Sequence, residues 1–286
     1  YLPENGTLGM INDAEWIDLN GSGEKDLVLV GEWMDVLILS MDGKEFEENR
    51  IPNSSGWWKS IQSLDYDGDG DQDLLIGNLG LNSKLKTTPE QTLNLYLNDF
   101  DQNGKLDPVM TYYPSGEESI FASKDDLEKQ IPSIGQKFST NKAFAEASLE
   151  DILGDGVSRA RKLSVYELRS GVYINDGSGF HFEPFPNAVQ ISFLQDFLVS
   201  DFNADGFEDI LSVGNFYASS IQEGRYSADR GSILAGQSNG YVILSNHEIG
   251  LSLQGNIRRI ESLNFQGKEL IMVARNNDSI LWLKLN

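Results

Sequence analysis

Asp65-Tyr66-Asp67-Gly68-Asp69-Gly70-Asp71-Gln72-Asp73 places a carboxylate at every other position, with glycine at two of the positions between. Three more nine-residue windows keep the same register. They are Asp18-Leu19-Asn20-Gly21-Ser22-Gly23-Glu24-Lys25-Asp26, Asp99-Phe100-Asp101-Gln102-Asn103-Gly104-Lys105-Leu106-Asp107 and Asp201-Phe202-Asn203-Ala204-Asp205-Gly206-Phe207-Glu208-Asp209. Each has Asp at position 1, Asp or Asn at 3, an oxygen-bearing side chain at 5, Gly at 6 and Asp at 9. A hard cation such as calcium takes six to eight oxygens at about 2.3–2.6 Å. Side chains at 1, 3 and 5 converge when the chain curls around such an ion, and Gly at 6 permits the bend that a Cβ would obstruct. Position 7 offers a backbone carbonyl, which lets it vary freely among Glu24, Asp71, Lys105 and Phe207. Asp at 9 closes the ring.

An EF-hand requires a bidentate Glu at position 12 and flanking helices. Position 12 here is Leu29, Ile76, Met110 and Ser212. The flanks are short apolar runs. Ile61–Leu64, Leu93–Leu97 and Phe197–Ser200 precede loops; Leu27–Val30, Leu74–Ile76 and Ile210–Val213 follow them. Runs of this length read as strands, so each unit is strand, cation loop, strand. The loops begin at 18, 65, 99 and 201, and hairpins recurring at such intervals predict an all-β propeller or open β array. A fifth unit, Arg259 to Ala274, keeps the strand–turn–strand outline without the Asp ladder and is assigned no ion.

The composition agrees with this reading. Lys plus Arg is 22 and Asp plus Glu is 44, a formal charge of −22, which excludes the basic footprint of a nucleic-acid-binding protein and docking on anionic lipid. Four divalent ions, eight positive charges, would bring −22 to −14. Loop charge predicts an order of affinity: Asp65, Asp67, Asp69 and Asp73 make the second loop tightest. The first, with Asp18 and Asp26 helped by Asn20 and Ser22, is weakest. The chain has 28 Gly and 8 Pro, which suits many turns. It has no Cys, which removes disulfides, thiolate metal sites and Cys nucleophiles. No apolar run reaches the roughly 18 residues that span a bilayer. The chain starts at Tyr1 without Met or a signal peptide and is read as a mature or partial chain.

The four loops resemble the FG-GAP/VCBS repeats of calcium-containing β-propellers, the family that includes integrin α-chain propellers. Further segments are similar to the C-terminal part of large VCBS-repeat proteins with an ASPIC/UnbV region from Bacteroidota-like bacteria. They are Gly56-Trp57-Trp58-Lys59-Ser60, Ile76–Ser83, Ser148–Leu153, Gly224-Arg225-Tyr226 and Ala274–Asp278. The resemblance implies a single propeller region over 1–286, with about four to five blades or partial blades, belonging to a larger propeller or array. It also implies adhesion or assembly at the extracellular or outer-membrane surface of a Gram-negative bacterium, with a protein or glycan partner.

The long interval before the fourth loop carries a helical pattern, and a helical insertion is expected over 117–165. Ser123–Asp126 is a capping pattern before Leu127–Gln130, interrupted by Pro132 and Gly135. Ala143–Leu153 carries a helical stripe, and Val157–Leu163 continues as a second helix. Strands resume at Val172–Ile174, followed by the turn Asn175–Gly179. This insertion reads as a cap over a sheet edge or as a partner- or substrate-facing lid. Trp57 and Trp58 read as a sugar-stacking platform or as one core and one interface ring. Arg225, Tyr226 and Arg230 sit in a polar loop, Ser219–Gly231, and are candidate partner anchors or ordinary solvated residues.

Catalysis finds little support. His181 and His247 lie in no HExxH or Ser–His–Asp context, no phosphate-binding Gly loop with a Lys is present, and the clustered carboxylates are accounted for as ligands. The expectation is a non-enzymatic, calcium-stabilised binding or assembly module. The alternative is the propeller of a polysaccharide-active enzyme, as its carbohydrate-binding part or catalytic face.

Overall fold

A computed structural model describes residues 8–42, 45–220 and 223–284. The chain forms two compact units, one of residues up to 52, 56–83 and 168 onward, the other of 53–55 and 84–167. The first is built mainly from antiparallel strands, the second from one antiparallel sheet and five short helices.

The first unit opens with β1 (Met10–Ile17), β2 (Asp26–Met34), β3 (Leu37–Asp42) and β4 (Glu45–Arg50), a meander in chain order, with the short β5 (Gly56–Trp57) on the far part of β2. β6 (Ser60–Leu64) and β7 (Asp73–Gly77) begin a second sheet, which the chain then leaves for the other unit.

That other unit contains β8 (Leu93–Asn98), β9 (Asp107–Tyr112), β10 (Ser119–Ile120), five short helices and β11 (Arg161–Val165), in the sheet order β10-β9-β8-β11. The helices are α1 (Lys124–Gln130), α2 (Ser133–Lys137), α3 (Asn141–Ala145), α4 (Leu149–Leu153) and α5 (Gly156–Arg159). Tyr96 and Val109 of the sheet share a core with Leu127, Ile134, Phe144 and Ile152 of the helices. Helices lie within 117–165, in company with β10 and β11, in a unit made of residues 53–55 and 84–167.

Two local expectations change. The helix over Ala143–Leu153 is two helices, because Ser148 caps the second: its hydroxyl accepts the Asp151 N–H, and the Asp151 carboxylate accepts the Ser148 N–H. This reciprocal pair satisfies free amide groups at a helix start and fixes the break there. Val157–Leu163 is not a second helix. α5 is one turn, and residues 161–165 pair with β8.

The chain returns to the first unit with β12 (Gly171–Asn175) and β13 (Phe180–Pro184), completing the sheet β13-β12-β7-β6. A third meander follows: β14 (Leu194–Ser200), β15 (Asp209–Gly214), β16 (Ser232–Gln237) and β17 (Gly240–Ile243). The turn α6 (Asn246–Ile249) then leads into a three-stranded sheet, β18 (Ile257–Phe265), β19 (Lys268–Arg275) and β20 (Leu281–Lys284).

The four sheets of this unit pack face to face in chain order. Val28, Val30 and Ile38 of the first meet Ile61, Leu74 and Ile76 of the second. Leu75, Val172 and Ile174 meet Leu194, Phe197 and Ile210. Leu211 and Val213 meet Ile257, Ile260, Ile271 and Val273. Each inner sheet is therefore buried on both faces, which is why β7 (Asp-Leu-Leu-Ile-Gly) is apolar without alternation and buried throughout.

The first strands of successive sheets lie side by side: β1 by β6, β6 by β14, β14 by β18. β1, β14 and β18 carry bulges in the same place, at Ile11/Asp13, Leu194/Asp196 and Ile257/Arg259. A bulge adds one residue and re-aims the next side chain. Here it turns Asp13 toward the Ile61 N–H (3.1 Å) and Asp196 toward the Ile260 N–H (2.7 Å), so each carboxylate pins the neighbouring first strand. Arg259 Nη1 lies 3.4 Å from Asp196 and 3.7 Å from Asp13. Burial nevertheless holds the Asp196 carboxyl up at about 6, against the pull of the Ile260 N–H and Arg259.

Candidate metal centres

All four Asp windows connect the first and second strands of a hairpin, with positions 1 and 9 flanking the turn. Position 9 is the first residue of β2, β7, β9 or β15. The turns share one backbone. Gly at position 6 is left-handed in every loop, with φ 85° at Gly23, 99° at Gly70, 85° at Gly104 and 92° at Gly206. Position 4 is left-handed as well: Gly21 (66°), Gly68 (80°), Gln102 (61°) and Ala204 (60°). The requirement at position 6 is legible in the sequence. That at position 4 is masked by Gln102 and Ala204, where side chains occupy a conformation that favours glycine.

The oxygen ladder is organised by backbone amides. The position 3 side chain accepts the position 5 N–H in every loop, at Asn20–Ser22, Asp67–Asp69, Asp101–Asn103 and Asn203–Asp205. The position 5 side chain accepts the position 7 N–H in every loop. In three loops the position 1 carboxylate accepts the N–H groups of positions 5 and 6. In the second loop Asp65 accepts the Gly68 N–H instead. These bonds hold the side-chain oxygens on the inside of the curl.

Carboxylate oxygens converge in the second and third loops, where position 3 is Asp. One oxygen each from Asp65, Asp67 and Asp73 lies within 4.8 Å of the others, and so do oxygens from Asp99, Asp101 and Asp107. Three carboxylate oxygens this close repel one another unless a cation lies among them. The donor set is all oxygen, as hard divalent cations prefer, so the residues present fit calcium. In the first and fourth loops Asn20 and Asn203 replace the position 3 carboxylate, leaving Asp18 and Asp26 in the first and Asp201, Asp205 and Asp209 in the fourth. Position 7 contributes no carboxylate in the third and fourth loops, where Lys105 and Phe207 are exposed, consistent with a carbonyl ligand there.

Position 9 has a second task that the spacing did not reveal. Asp73, Asp107 and Asp209 accept the N–H of position 2 in their own loops, from Tyr66 (2.7 Å), Phe100 (3.0 Å) and Phe202 (3.0 Å). Asp73 also accepts the Asn175 N–H from β12, and Asp209 the Gly236 N–H from β16. The residue that closes the cation loop thus ties it to the third strand of its sheet. Asp73 is fully buried, and its pKa is raised by that burial, with the charges of Asp67 and Asp69 adding to the rise against two backbone hydrogen bonds. Asn175 was read only as part of a turn. It is buried, and its amide also donates to Leu19 O (2.9 Å) in the first loop.

Residues 18–76 match the FG-GAP-like repeat family. The matched span holds the first loop, strands β2 to β6, the second loop and most of β7, about a fifth of the chain. No curated protein matches this chain.

The remaining candidates separate. Trp58 is fully buried against Tyr173 and Phe182, and Trp57 is half-buried edge-on to Trp33 at 5.6 Å, so the pair forms no exposed platform. In the polar loop, of which residues 221 and 222 lie outside the described residues, Arg225 and Arg230 are exposed. Tyr226 faces inward: its ring meets Phe193 edge-on at 5.2 Å, and its hydroxyl lies 3.3 Å from Ser83 Oγ. Among the described residues no helix is long and apolar enough to cross a membrane.

Proposed function

We propose that the chain is a calcium-stabilised β-propeller region, part of a larger FG-GAP/VCBS-repeat protein of the ASPIC/UnbV-associated type, and that it acts without catalysis as a protein- or glycan-binding or assembly module. The observation that carries this reading is the shared loop geometry: four turns with one backbone, two of which gather three carboxylate oxygens within 4.8 Å. Asp65, Asp67, Asp69 and Asp73, with the Asp71 carbonyl, would hold one ion. The corresponding positions of the other three loops would hold up to three more. The ions would supply the positive charge that lets these turns close. Extracellular calcium is about millimolar and suits sites of moderate affinity, which supports a location outside the cell; the surface of a Gram-negative bacterium is what the resemblance to VCBS-repeat proteins implies.

Binding then falls to segments that the repeat does not require, the polar loop 219–231 and the inserted 117–165 region, because irregular segments on a rigid scaffold are where recognition residues collect. The test is thermal unfolding in calcium and in excess chelator. Ions that bind only the native state raise stability by mass action, so chelation lowers the melting temperature by ten degrees or more, on the order expected from losing several kcal/mol. Calcium restores it and magnesium does so poorly. An unchanged transition with the metal shown to be gone refutes the proposal. Release of reducing ends or unsaturated products from polysaccharides would replace the non-catalytic reading with an enzymatic one.

A further inference from the structure

In a chain of net charge −22, three arginines line one cleft of about 420 Å³: Arg225 and Arg230 from the polar loop, and Arg275 from the end of β19. Tyr217, Gln254 and Asp278 also line it. The three cations are held differently. Arg275 is largely buried and fully engaged. Its Nε donates to Ser279 O (2.9 Å), Nη2 to Ser279 Oγ (3.0 Å) and Nη1 to Gln254 O (3.2 Å), and Nη1 also meets Asp278 at 2.9 Å. Arg230 uses only Nη1, for the carbonyls of Ser227 and Asp229 at 3.0 Å each. Arg225 lies with its guanidinium 5.5 Å from the centre of the Tyr217 ring. Among the described residues neither Arg225 nor Arg230 forms an ion pair with a carboxylate within 4 Å, although the Arg230 charge acts on the neighbouring Asp229 carboxylate, so two guanidinium groups line the cleft with donors left for a ligand.

The cleft is built rather than incidental. Gly255, at φ 118°, forms part of its floor, and a Cβ there would come within 2.8 Å of Arg275 Cδ, so a larger residue would displace the buried arginine. Asn215 is fully buried with φ 89°, and its amide donates to Asp229 O (3.1 Å) and Gly255 O (2.9 Å), joining the loop segment that leads to Arg230 to the backbone at Gly255 beside Arg275. Leu253 N–H donates to Arg230 O at 2.8 Å, fixing the backbone under the second arginine. Buried polar ties of this kind pre-organise a site before a ligand arrives.

We infer that this cleft binds an oxyanion carried on a sugar, a uronate carboxylate or a sulfate ester of an oligosaccharide. The inference rests on the recognition reading above and names its ligand. Arginine forks match planar carboxylates and tetrahedral oxyanions bidentately. The size suits one or two sugar rings. No Leu, Ile, Val, Met or Phe lines the cleft, so an apolar peptide side chain finds no contact there. Sugar hydroxyls find the Asp278 carboxylate, the Gln254 amide and the Tyr217 hydroxyl. An acidic peptide is the competing occupant.

The test is calorimetric titration of the full chain with trigalacturonate, a sulfated galactose trisaccharide, a neutral galactose trisaccharide and a hexaglutamate peptide, each in calcium and in chelator. At least one anionic trisaccharide is expected to bind at 50 mM salt and to weaken at 300 mM. The neutral sugar is expected not to bind at the same concentrations. The two anionic arms tell carboxylate from sulfate. Arg225→Ala with Arg230→Ala should weaken binding at least tenfold while the melting temperature stays unchanged. Arg225→Lys should recover part of the loss if charge alone is read, and little if the fork is read. The inference is overturned if no anionic trisaccharide binds the folded protein, if the double variant keeps wild-type affinity, or if hexaglutamate binds as tightly as the sugars. Binding that survives in chelator, together with an unchanged melting temperature there, would sink the calcium reading while leaving this site standing. Loss of binding in the double variant alone assigns the site whatever the metal does.

Discussion

The β6–β7 and β18–β19 hairpins solve the same problem with different chemistry. Each joins the first two strands of a sheet in one unit, and the strands that open them align. Ser60 stands five residues before Asp65, and Arg259 five before Asn264. In β6–β7 the turn is a nine-residue curl with four carboxylates at positions 1, 3, 5 and 9, three of them within 4.8 Å. In β18–β19 the turn is two residues, Gln266 at φ 53° and Gly267 at φ 75°, closed by Gly267 N–H donating to Asn264 Oδ1 at 3.1 Å. Two left-handed residues match the twist of paired strands, and β18–β19 is the longer hairpin. Strand pairing therefore does not need the Asp ladder. What the ladder adds is concentrated negative charge, which destabilises the turn unless a cation offsets it. The comparison leaves hairpin formation to the strands, and it makes a bound cation the proposed role of the acidic loops.

The largest expected effect lies inside the acidic loops. Asp67→Ala or Asp69→Ala removes one of the four side-chain carboxylates of the second loop and should lower its calcium affinity by about tenfold or more. Asn20→Ala or Ser22→Ala removes a neutral oxygen from the first loop and should cost a few-fold. Site-resolved calcium titration by NMR reads both. Equal losses would mean that loop geometry rather than charge sets the order. Asn264→Asp, which puts a lone carboxylate at position 1 of the β18–β19 turn, should create no calcium site, because positions 5 and 9 are Lys268 and Met272 and the turn is two residues rather than a nine-residue curl.

Acidification should move the two forms of the protein in opposite directions. Burial raises the carboxyl of Asp73, those of Asp196 and Asp229 to about 6, and that of Glu15. The native state therefore keeps these protons at a pH where the unfolded chain, with carboxyls near 4, has lost them. Between about pH 4 and 6 the native state binds more protons, so stability is highest below that window and falls as pH rises through about 6. In chelator the melting temperature should rise as pH is lowered from 7 to 5. With calcium bound, protons compete for the loop carboxylates, and the same change should lower it. A chelated protein that loses stability on mild acidification would show that these buried carboxyls do not govern its pH response.

Much of this was legible before the structure. The loops could be read because their oxygen-bearing side chains recur at every second position, and the flanking strands because they are short and apolar. What escaped was topology. The third loop, Asp99–Asp107, has the same ladder as the others, yet β8 and β9 belong to a sheet with β10 and β11, in a unit inserted between β7 and β12. No local signal distinguishes a hairpin that continues a row of sheets from one inside an insertion. That is decided by which strand β7 pairs with, and its partner Tyr173 lies almost a hundred residues from Leu74. The cleft under Arg275 escaped for a similar reason: Arg225 and Arg230 were singled out, but Arg275 comes from another sheet. The break before α4 was readable, since Ser148 and Asp151 stand at capping-box spacing, but the continuous apolar stripe outweighed it.

The smallest expected effect sharpens the comparison at the backbone. Position 4 is left-handed in all four loops, but only the first and second place glycine there. Ala204 at φ 60° carries strain of about 1–2 kcal/mol, part of which glycine would return to the unfolded chain as entropy, about 0.4–1 kcal/mol. Ala204→Gly should therefore stabilise the protein by about 0.5–1 kcal/mol. Gly206→Ala, two residues on at φ 92° with open space around its Cβ position, should destabilise it by about 1–2 kcal/mol. The space around Gly206 rules out a clash, so that loss reports the backbone alone. Both values come from urea unfolding in saturating calcium, where the loops are closed. If Ala204→Gly is neutral or destabilising while Gly206→Ala costs as expected, position 4 is held by the loop's hydrogen bonds at no strain, and the curl requires glycine at position 6 only.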